Sequence, residues 1–479
     1  PGRPDRYLSR SRNHRSKYLR GNWILSLDLV RTMGYIHDHG PDDGPAEGSA
    51  RHGYLPGMLV RTRHPRLFFS AHRSDAQTSE QIRRYPAAYY FTSEIPDMYR
   101  PFCADNGPID IMGVVEACSL FHSKMTHPAL AKRALVFYSS MDPNSATNAI
   151  LLVSAYLVLT LKCTPEEALS DFADVDGLPT VTYHDATFSE QTFNLSVLDV
   201  LRGLQRACSL DWLDLRSFDA PAYEALYEQE THDISVVSPK FVAFATPKDR
   251  PDEHSGARPV SVHGRIFAAM GVTDVVRLNE QEHYRDEDFA EHGVRYHKLV
   301  FRDCTVPPWH VVRRFLDIVE GAKDIVAVHC LAGLGRTGTL IGCHMIQVSG
   351  FTAAEAIGFL RLMRPGSVIG PQQLFLQEFE FACRPTVPLL ALDAPPGRES
   401  APSPPSRSRS RVAPSASPRE ADAEKQRPSR QVRSASIVSE APTLAQPVTP
   451  LGLDVSSIDM CQPQPDCWSE TDGGGKGEK

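Results

Sequence analysis

Cysteine is present but unpatterned. None of the ten cysteines forms a Cys-x-x-Cys pair, so neither a zinc ribbon nor a disulfide framework is indicated. Long apolar runs are missing as well. The longest, residues 149–161, is interrupted by Ser154 and Thr160, which suits a buried helix and is too short to cross a bilayer. There is no excess of positive charge to hold nucleic acid. The net charge is −7, with seven basic groups and one acid in residues 1–20 and eleven of each in 395–479, so the body between carries −13. That balance argues against a nucleic-acid partner and suits a basic peptide. Residues 395–479 hold 13 prolines and 14 serines, with Trp468 their only aromatic. Nothing there can bury a core, and 391–479 is expected to be a disordered tail.

What remains has an ordinary globular composition, 41% apolar and 23% charged, with room for two or three domains. Its organising stretch is Val328-His329-Cys330-Leu331-Ala332-Gly333-Leu334-Gly335-Arg336-Thr337-Gly338. Cys330 is the one cysteine with an arginine six positions on. The β-branched run 324–328 before it reads as a buried parallel strand, and 337–348 as a helix. A loop between such elements turns backbone N–H groups and a helix N-terminus toward an anion. Gly333 and Gly335 let the backbone approach closely. Arg336 can grip two phosphate oxygens in its planar fork. Together these groups favour a thiolate on Cys330, a nucleophile for phosphoryl transfer through a phosphocysteine. The Thr337 hydroxyl sits where it can stabilise that thiolate as a leaving group.

Such a thiolate needs an acid for the departing oxygen and a base for the water that follows. Asp303, in a strand-end loop before Pro307-Pro308, is the candidate. Gln372 and Gln373, after Gly370-Pro371, are candidates for positioning the water. The neighbouring Cys304 and Cys343 read as core fillers, either of which could trap an oxidised Cys330.

The chain carries this arrangement twice. A strand at 134–138, a polar loop at 139–145, an apolar helix at 148–161 and the capping pattern Thr164-Pro165-Glu166-Glu167 precede the catalytic strand, loop, helix and Thr352-Ala353-Ala354-Glu355. This reads as a duplicated α/β unit whose first copy lacks both cysteine and arginine. The expected divisions are a basic, poorly ordered leader at 1–57, a first domain at 58–216, an acidic linker helix at 217–238, a catalytic domain at 239–390 and the tail. The leader is arginine-rich and acid-poor like a transit peptide, though a solvated leader is the preferred reading, and 23–33 is at best a short docking helix. Asp219, Glu224, Glu228, Glu230 and Asp233 crowd the linker, where a solvated helix face is the plain reading. Ser403-Pro404, Ser417-Pro418-Arg419 and Thr449-Pro450 in the tail are candidate phosphorylation sites for regulatory kinases.

The cysteine loop, Thr164-Pro165-Glu166-Glu167-Ala168, Asn106-Gly107-Pro108, Phe193-Asn194-Leu195-Ser196-Val197-Leu198-Asp199 and above all Arg364-Pro365-Gly366-Ser367-Val368-Ile369-Gly370-Pro371-Gln372-Gln373 resemble the cell-division-cycle-fourteen family of dual-specificity phosphatases. The likeness covers roughly 58–390. It implies two tandem phosphatase-like α/β domains, each a mostly parallel sheet flanked by helices, with catalysis in the second. It further implies hydrolysis without metal or other cofactor, and phosphoprotein substrates with Ser-Pro or Thr-Pro sites near Lys or Arg. A role in cell division, and a place in the nucleus and cytoplasm with centrosome or spindle association, are implied too. The family's acidic pocket for the basic residue maps onto Glu224, Glu228 and Asp233; on a helix the first two share a face. Leu331 stands where the family has lysine, and Cys304-Thr305-Val306 where it has Gly-Ser-Thr. A phosphoinositide phosphatase and a catalytically weak phosphopeptide-binding protein are the alternatives. The uncharged Leu331, Ala332 and Leu334 weigh against the first, and intact Cys330, Arg336 and Asp303 against the second.

Overall fold

The computed structural model describes residues 53–249, 257–281, 283–285 and 287–384. The expected tail, most of the leader and the helix at 23–33 lie outside these residues. The first part runs β1 (Val60–Arg61), β2 (Leu67–His72), α1 (Asp75–Arg84), β3 (Ala88–Phe91), α2 (Ile111–Thr126), β4 (Ala134–Ser140), α3 (Pro143–Leu159), α4 (Pro165–Ala173) and α5 (Val197–Ser209). A short α6 (Ala220–Tyr227) leads to β5 (Ile234–Ser238), β6 (Phe241–Ala245), α7 (Val260–Met270), β7 (Val272–Arg277), α8 (Glu287–Ala290) and β8 (Arg295–Lys298). Then come α9 (Trp309–Gly321), β9 (Ile325–Cys330), α10 (Gly335–Ser349), α11 (Ala353–Met363) and α12 (Pro371–Cys383).

The duplication predicted from sequence extends to topology. The first sheet has order β1-β2-β4-β3 and the second β5-β6-β9-β7-β8. Each opens with an antiparallel edge pair, β1 on β2 and β5 on β6, and all other pairings are parallel. The last strand of each unit, β4 or β9, inserts beside the second strand, so it lies inside the sheet. An inserted parallel strand is covered on both faces, which explains the unbroken apolar runs at 134–137 and 325–328. Helix α3 follows β4 and is buried at every position from Ser145 to Leu159. That is why its sequence shows no polar face. Both expected capping boxes form, Thr164 with Glu167 and Thr352 with Glu355.

Several boundaries differ from the sequence reading. The first fold reaches back past residue 58, because Tyr54 is buried and its hydroxyl accepts from Ala71 N–H at 2.6 Å. The loop expected at 139–145 shrinks, since Pro143 at the first turn and Asp142 capping Ser145 N–H start α3 early. The linker helix at 217–238 is only α6. Asp233 has φ +56, which no helix continues through, and 234–238 is β5 of the second sheet. The sequence reading contains neither the β5–β6 hairpin nor β1, α1, α5, α7 and α8. In the hairpin Ser238-Pro239-Lys240 supplies the turn signal, overshadowed by the acidic run before it.

The two units share one apolar core rather than touching at a polar seam. α5 of the first packs on α11 of the second, with Trp212 stacked on Phe351 at 5.4 Å between ring centroids. Two glycines let these helices approach. A Cβ on Gly203 would lie 2.3 Å from Glu355 O, and one on Gly358 would lie 2.8 Å from Val200 Cα. Arg206 closes the end of the seam by donating to Ser349 O from Nε and Nη2, at 3.0 and 2.7 Å. Gly203→Ala is therefore expected to destabilise the protein by about 1–3 kcal/mol despite alanine's better helix propensity. Urea unfolding checks this, with Gly321→Ala, where an added Cβ meets nothing within 4 Å, as the harmless comparison.

Candidate active site

β9 is six buried residues long and ends on Cys330 itself. Residues 331–334 then turn the chain into α10, which begins at Gly335, two residues before its expected start. Four successive carbonyls of this turn are drawn to one side. Cys330 O accepts from Thr246 Oγ1 at 2.7 Å and Leu331 O from Thr246 N–H at 3.0 Å. Ala332 O accepts from Arg364 Nη2 at 2.9 Å and Gly333 O from Arg364 Nε at 2.8 Å. A trans peptide sets its N–H opposite its C=O, so holding the carbonyls outward leaves the amides facing the mouth of the loop, an anion-binding concavity. Gly333 is required twice over: its φ is +66, and a Cβ would lie 2.1 Å from Phe244 O.

Arg336, on the first turn of α10, is almost fully buried. Its Nη1 donates to Glu280 Oε2 at 2.7 Å, Phe301 O at 2.9 Å and Leu278 O at 3.3 Å. Its Nε lies 3.0 Å from Asp303 Oδ1, an ion pair without hydrogen-bond alignment. The Asp303 loop is thus folded over the cysteine loop with its carboxylate half exposed. Glu280 was missed from sequence, and no pattern marks it: it follows β7 in a loop and meets Arg336 only through the fold. The Arg336 hydrogen bond holds the Glu280 carboxyl below its usual range. Glu280 Oε1 also accepts from Asp303 N–H at 3.2 Å, so one carboxylate ties the arginine to the acid loop. Thr337 is fully buried, and its hydroxyl has no hydrogen-bond partner among the described residues. His329 lies behind the loop, bonded to Tyr284 and to Cys330 O; burial pushes it down to about 3, so it stays neutral.

The two glutamines separate. Gln372 accepts from Ile369 N–H at 3.1 Å and donates to Thr305 O of the acid loop at 3.1 Å. Its Oε1 lies 2.8 Å from where a Gly335 Cβ would be, against the cysteine loop. Gln373 turns away: its Oε1 accepts from Arg361 Nη2 at 2.7 Å and its Nε2 donates to Gly370 O at 3.3 Å. Both of its ends are committed to the scaffold, which corrects its assignment to the water. Cys343 is a buried filler as expected, whereas Cys304 is exposed, with φ +55. Among the described residues, no group of three or more His, Cys, Asp or Glu is placed to hold a metal ion.

Residues 62–207 match the family described as "Dual specificity protein phosphatase, N-terminal half", and residues 255–373 match "Swiss Army Knife protein, DSP-PTPase phosphatase domain". The chain is 36% identical over 316 residues to dual specificity protein phosphatase CDC14A of Mus musculus, covering 65% of this chain and 51% of that protein. It is 38% identical over 306 residues to tyrosine-protein phosphatase CDC14 of Saccharomyces cerevisiae, covering 61% and 55%. Across these residues the chain is similar to CDC14 dual-specificity phosphatases. It spans about half the length of the curated relatives it matches.

The three acids expected to line a pocket, Glu224, Glu228 and Asp233, differ in their surroundings. α6 ends at Tyr227 with Glu228 as its C-cap, φ −53 and N–H donating to Glu224 O at 3.0 Å, so Glu224 and Glu228 lie one turn apart on one face as expected, and the chain turns away only after Glu228. Both are half-buried. Asp233 does line a pocket beside the cysteine loop, with Phe102, Tyr227, Gln229, Ala332, Leu334 and Arg364. Yet its carboxylate is taken: Oδ1 accepts from Arg364 Nη2 and Oδ2 from Arg258 Nη1, each at 2.7 Å. A buried acid between two arginines offers no charge to a substrate lysine, which corrects its place in the pocket. Its work is to hold Arg364, and through it the loop carbonyls. Asp233→Ala would strand two buried guanidinium groups and is expected to cost about 3–5 kcal/mol. Glu224→Ala should stay within about 0.5 kcal/mol. Urea denaturation of both variants checks the contrast.

Proposed function

We propose that this chain is a protein phosphatase of dual specificity that removes phosphate from serine, threonine and tyrosine in cell-cycle control. The observation that carries the reading is a cysteine at the end of a buried strand, beneath inward-facing amides, with Arg336 beside it and the Asp303 carboxylate 3.0 Å from that arginine. The Cys330 thiolate attacks phosphorus, forming the S–P bond as the P–O bond breaks. Asp303 gives its proton to the leaving oxygen. Arg336 and the loop amides balance charge on the equatorial oxygens. Water then attacks the phosphocysteine, giving a proton back to Asp303, while Gln372 orients it and the Thr337 hydroxyl donates to the departing thiolate. Phosphate leaves and the enzyme is restored.

Phosphoprotein is favoured over phosphoinositide because Leu331, Ala332 and Leu334 bring no cation for further ring phosphates. A proline after the phosphorylated residue would meet Phe102, Tyr227 and Leu334 beside the loop. Glu224 and Glu228, rather than Asp233, are left to favour a following Lys or Arg. The candidate kinase sites of the tail lie outside the described residues.

The reading is tested with phosphoserine, phosphothreonine and phosphotyrosine peptides and a phosphoinositide, assayed with chelator present. Peptide turnover should persist and exceed lipid turnover; activity that returns only with added metal ends it. Cys330→Ser should abolish hydrolysis, and a residual rate within about tenfold of wild type removes Cys330 as nucleophile. Asp303→Ala should slow a phosphoserine peptide by about 10²–10⁴-fold, and an aryl phosphate, with its better leaving group, far less. Equal losses on both substrates mean the acid lies elsewhere.

A further inference from the structure

Arg361, in the middle of α11, is buried in the catalytic domain. Its Nε donates to Ser367 O at 3.1 Å, and its Nη2 to Val368 O at 3.0 Å and Gln373 Oε1 at 2.7 Å. All of these partners are uncharged. Burial lowers its pKa to about 10, and the groups that oppose this, Asp185, Tyr99 and Asp105, all belong to the first domain. Asp105 is buried and accepts from the Tyr99 hydroxyl. A guanidinium out of water needs a counter-charge, and here the domain without a nucleophile supplies it.

Asp185 does more than balance charge. It is 3% exposed, and its Oδ2 accepts from Gly370 N–H at 2.7 Å across the seam. Gly370 has φ +53 and ψ −131 and is the residue from which α12 departs. Two positions on is Gln372, spanning the cysteine loop and the acid-loop carbonyl of Thr305. The carboxylate therefore holds the glutamine turn at its middle, through the Gly370 N–H, while its charge favours the ionised form of Arg361, which grips Ser367, Val368 and Gln373.

We infer that Asp185 is a positioning residue for the second half of the reaction, holding the 367–373 turn so that Gln372 presents water to the phosphocysteine. The inference rests on the phosphocysteine reading above. The first half of the reaction uses Cys330, Arg336 and Asp303, none of which Asp185 touches. Loss of Asp185 should thus split the kinetics: kcat/KM, which reports steps up to loss of the leaving group, is spared, while kcat falls with phosphocysteine breakdown.

The test uses the full chain with para-nitrophenyl phosphate in rapid-quench and stopped-flow experiments, on wild type, Asp185→Asn, Asp185→Ala, Gln372→Ala and Asp185→Ala combined with Gln372→Ala. Both Asp185 variants should slow phosphoenzyme decay, Asp185→Ala by about ten- to a hundredfold and Asp185→Asn by less, since an amide oxygen can still accept from Gly370. Their kcat/KM should stay within about twofold, with a burst of nitrophenol. The combined variant should decay no more slowly than Gln372→Ala, because both act at one water. Decay is read per burst site, so an unfolded fraction does not enter. If Asp185→Ala yields no burst sites, the near-isosteric Asp185→Asn carries the test. Unchanged decay, or equal falls in kcat and kcat/KM, overturns the role of Asp185. A wild type that forms no phosphoenzyme on Cys330 instead overturns the phosphocysteine reading, and this inference with it.

Discussion

The site depends on one guanidinium that need not touch the substrate. Arg364 takes the carbonyls of Ala332 and Gly333 with Nη2 and Nε, and is itself held by Asp233 and by the Ser235 hydroxyl at 3.1 Å. Isolated backbone amides in a four-residue turn would point in several directions. Pulled by their carbonyls to one side, they form a cradle before any phosphate arrives, so reorganisation at the moment of binding is small. The charge chain runs Arg258, Asp233, Arg364, all buried. Such a chain is costly to desolvate and costly to break, which favours one loop geometry over its alternatives.

A second arginine, Arg336, is fixed in the same manner by Glu280 and two carbonyls. Its contacts all use Nη1 or Nε. The acid loop is recruited to this arginine twice, through the Asp303 carboxylate and through the Asp303 N–H on Glu280. Cys330, Arg336 and Asp303 therefore sit on β9, α10 and the β8–α9 loop, and the last two are brought into register by a few charge-assisted contacts rather than by proximity in sequence.

Duplication gives the two domains the same inserted last strand, with β8 added at the edge of the second sheet, but not the same task. In the first, the strand-to-helix turn after β4 is short and capped by Asp142. A carboxylate occupying the helix N-terminus leaves no place for an anion. What the first domain contributes lies elsewhere: Phe102 in the pocket wall, α5 along the seam, and the Asp185 carboxylate on the glutamine turn. The continuous apolar core makes these contributions rigid.

Sequence alone determined whatever depends on neighbours in the chain. The spacing of Cys330 and Arg336, the glycines between them, the β-branched strand before them and the two capping boxes are local, because a turn or a cap is built within a handful of residues. The duplication was legible for the same reason, as a repeated order of local signals. Tertiary structure decided every question of partnership. Asp233 and Glu224 look alike as acids in one run, yet one is buried between arginines 25 and 131 positions away and the other half-exposed. Gln372 and Gln373 are adjacent and identical, yet successive residues on a helix point about 100° apart, so one faces the cysteine loop and the other Arg361. Glu280 and Asp185 carry no local signature at all. Long-range pairing is set by how the sheets and the α5–α11 seam bring distant segments together, and a charge's meaning follows from what it meets there.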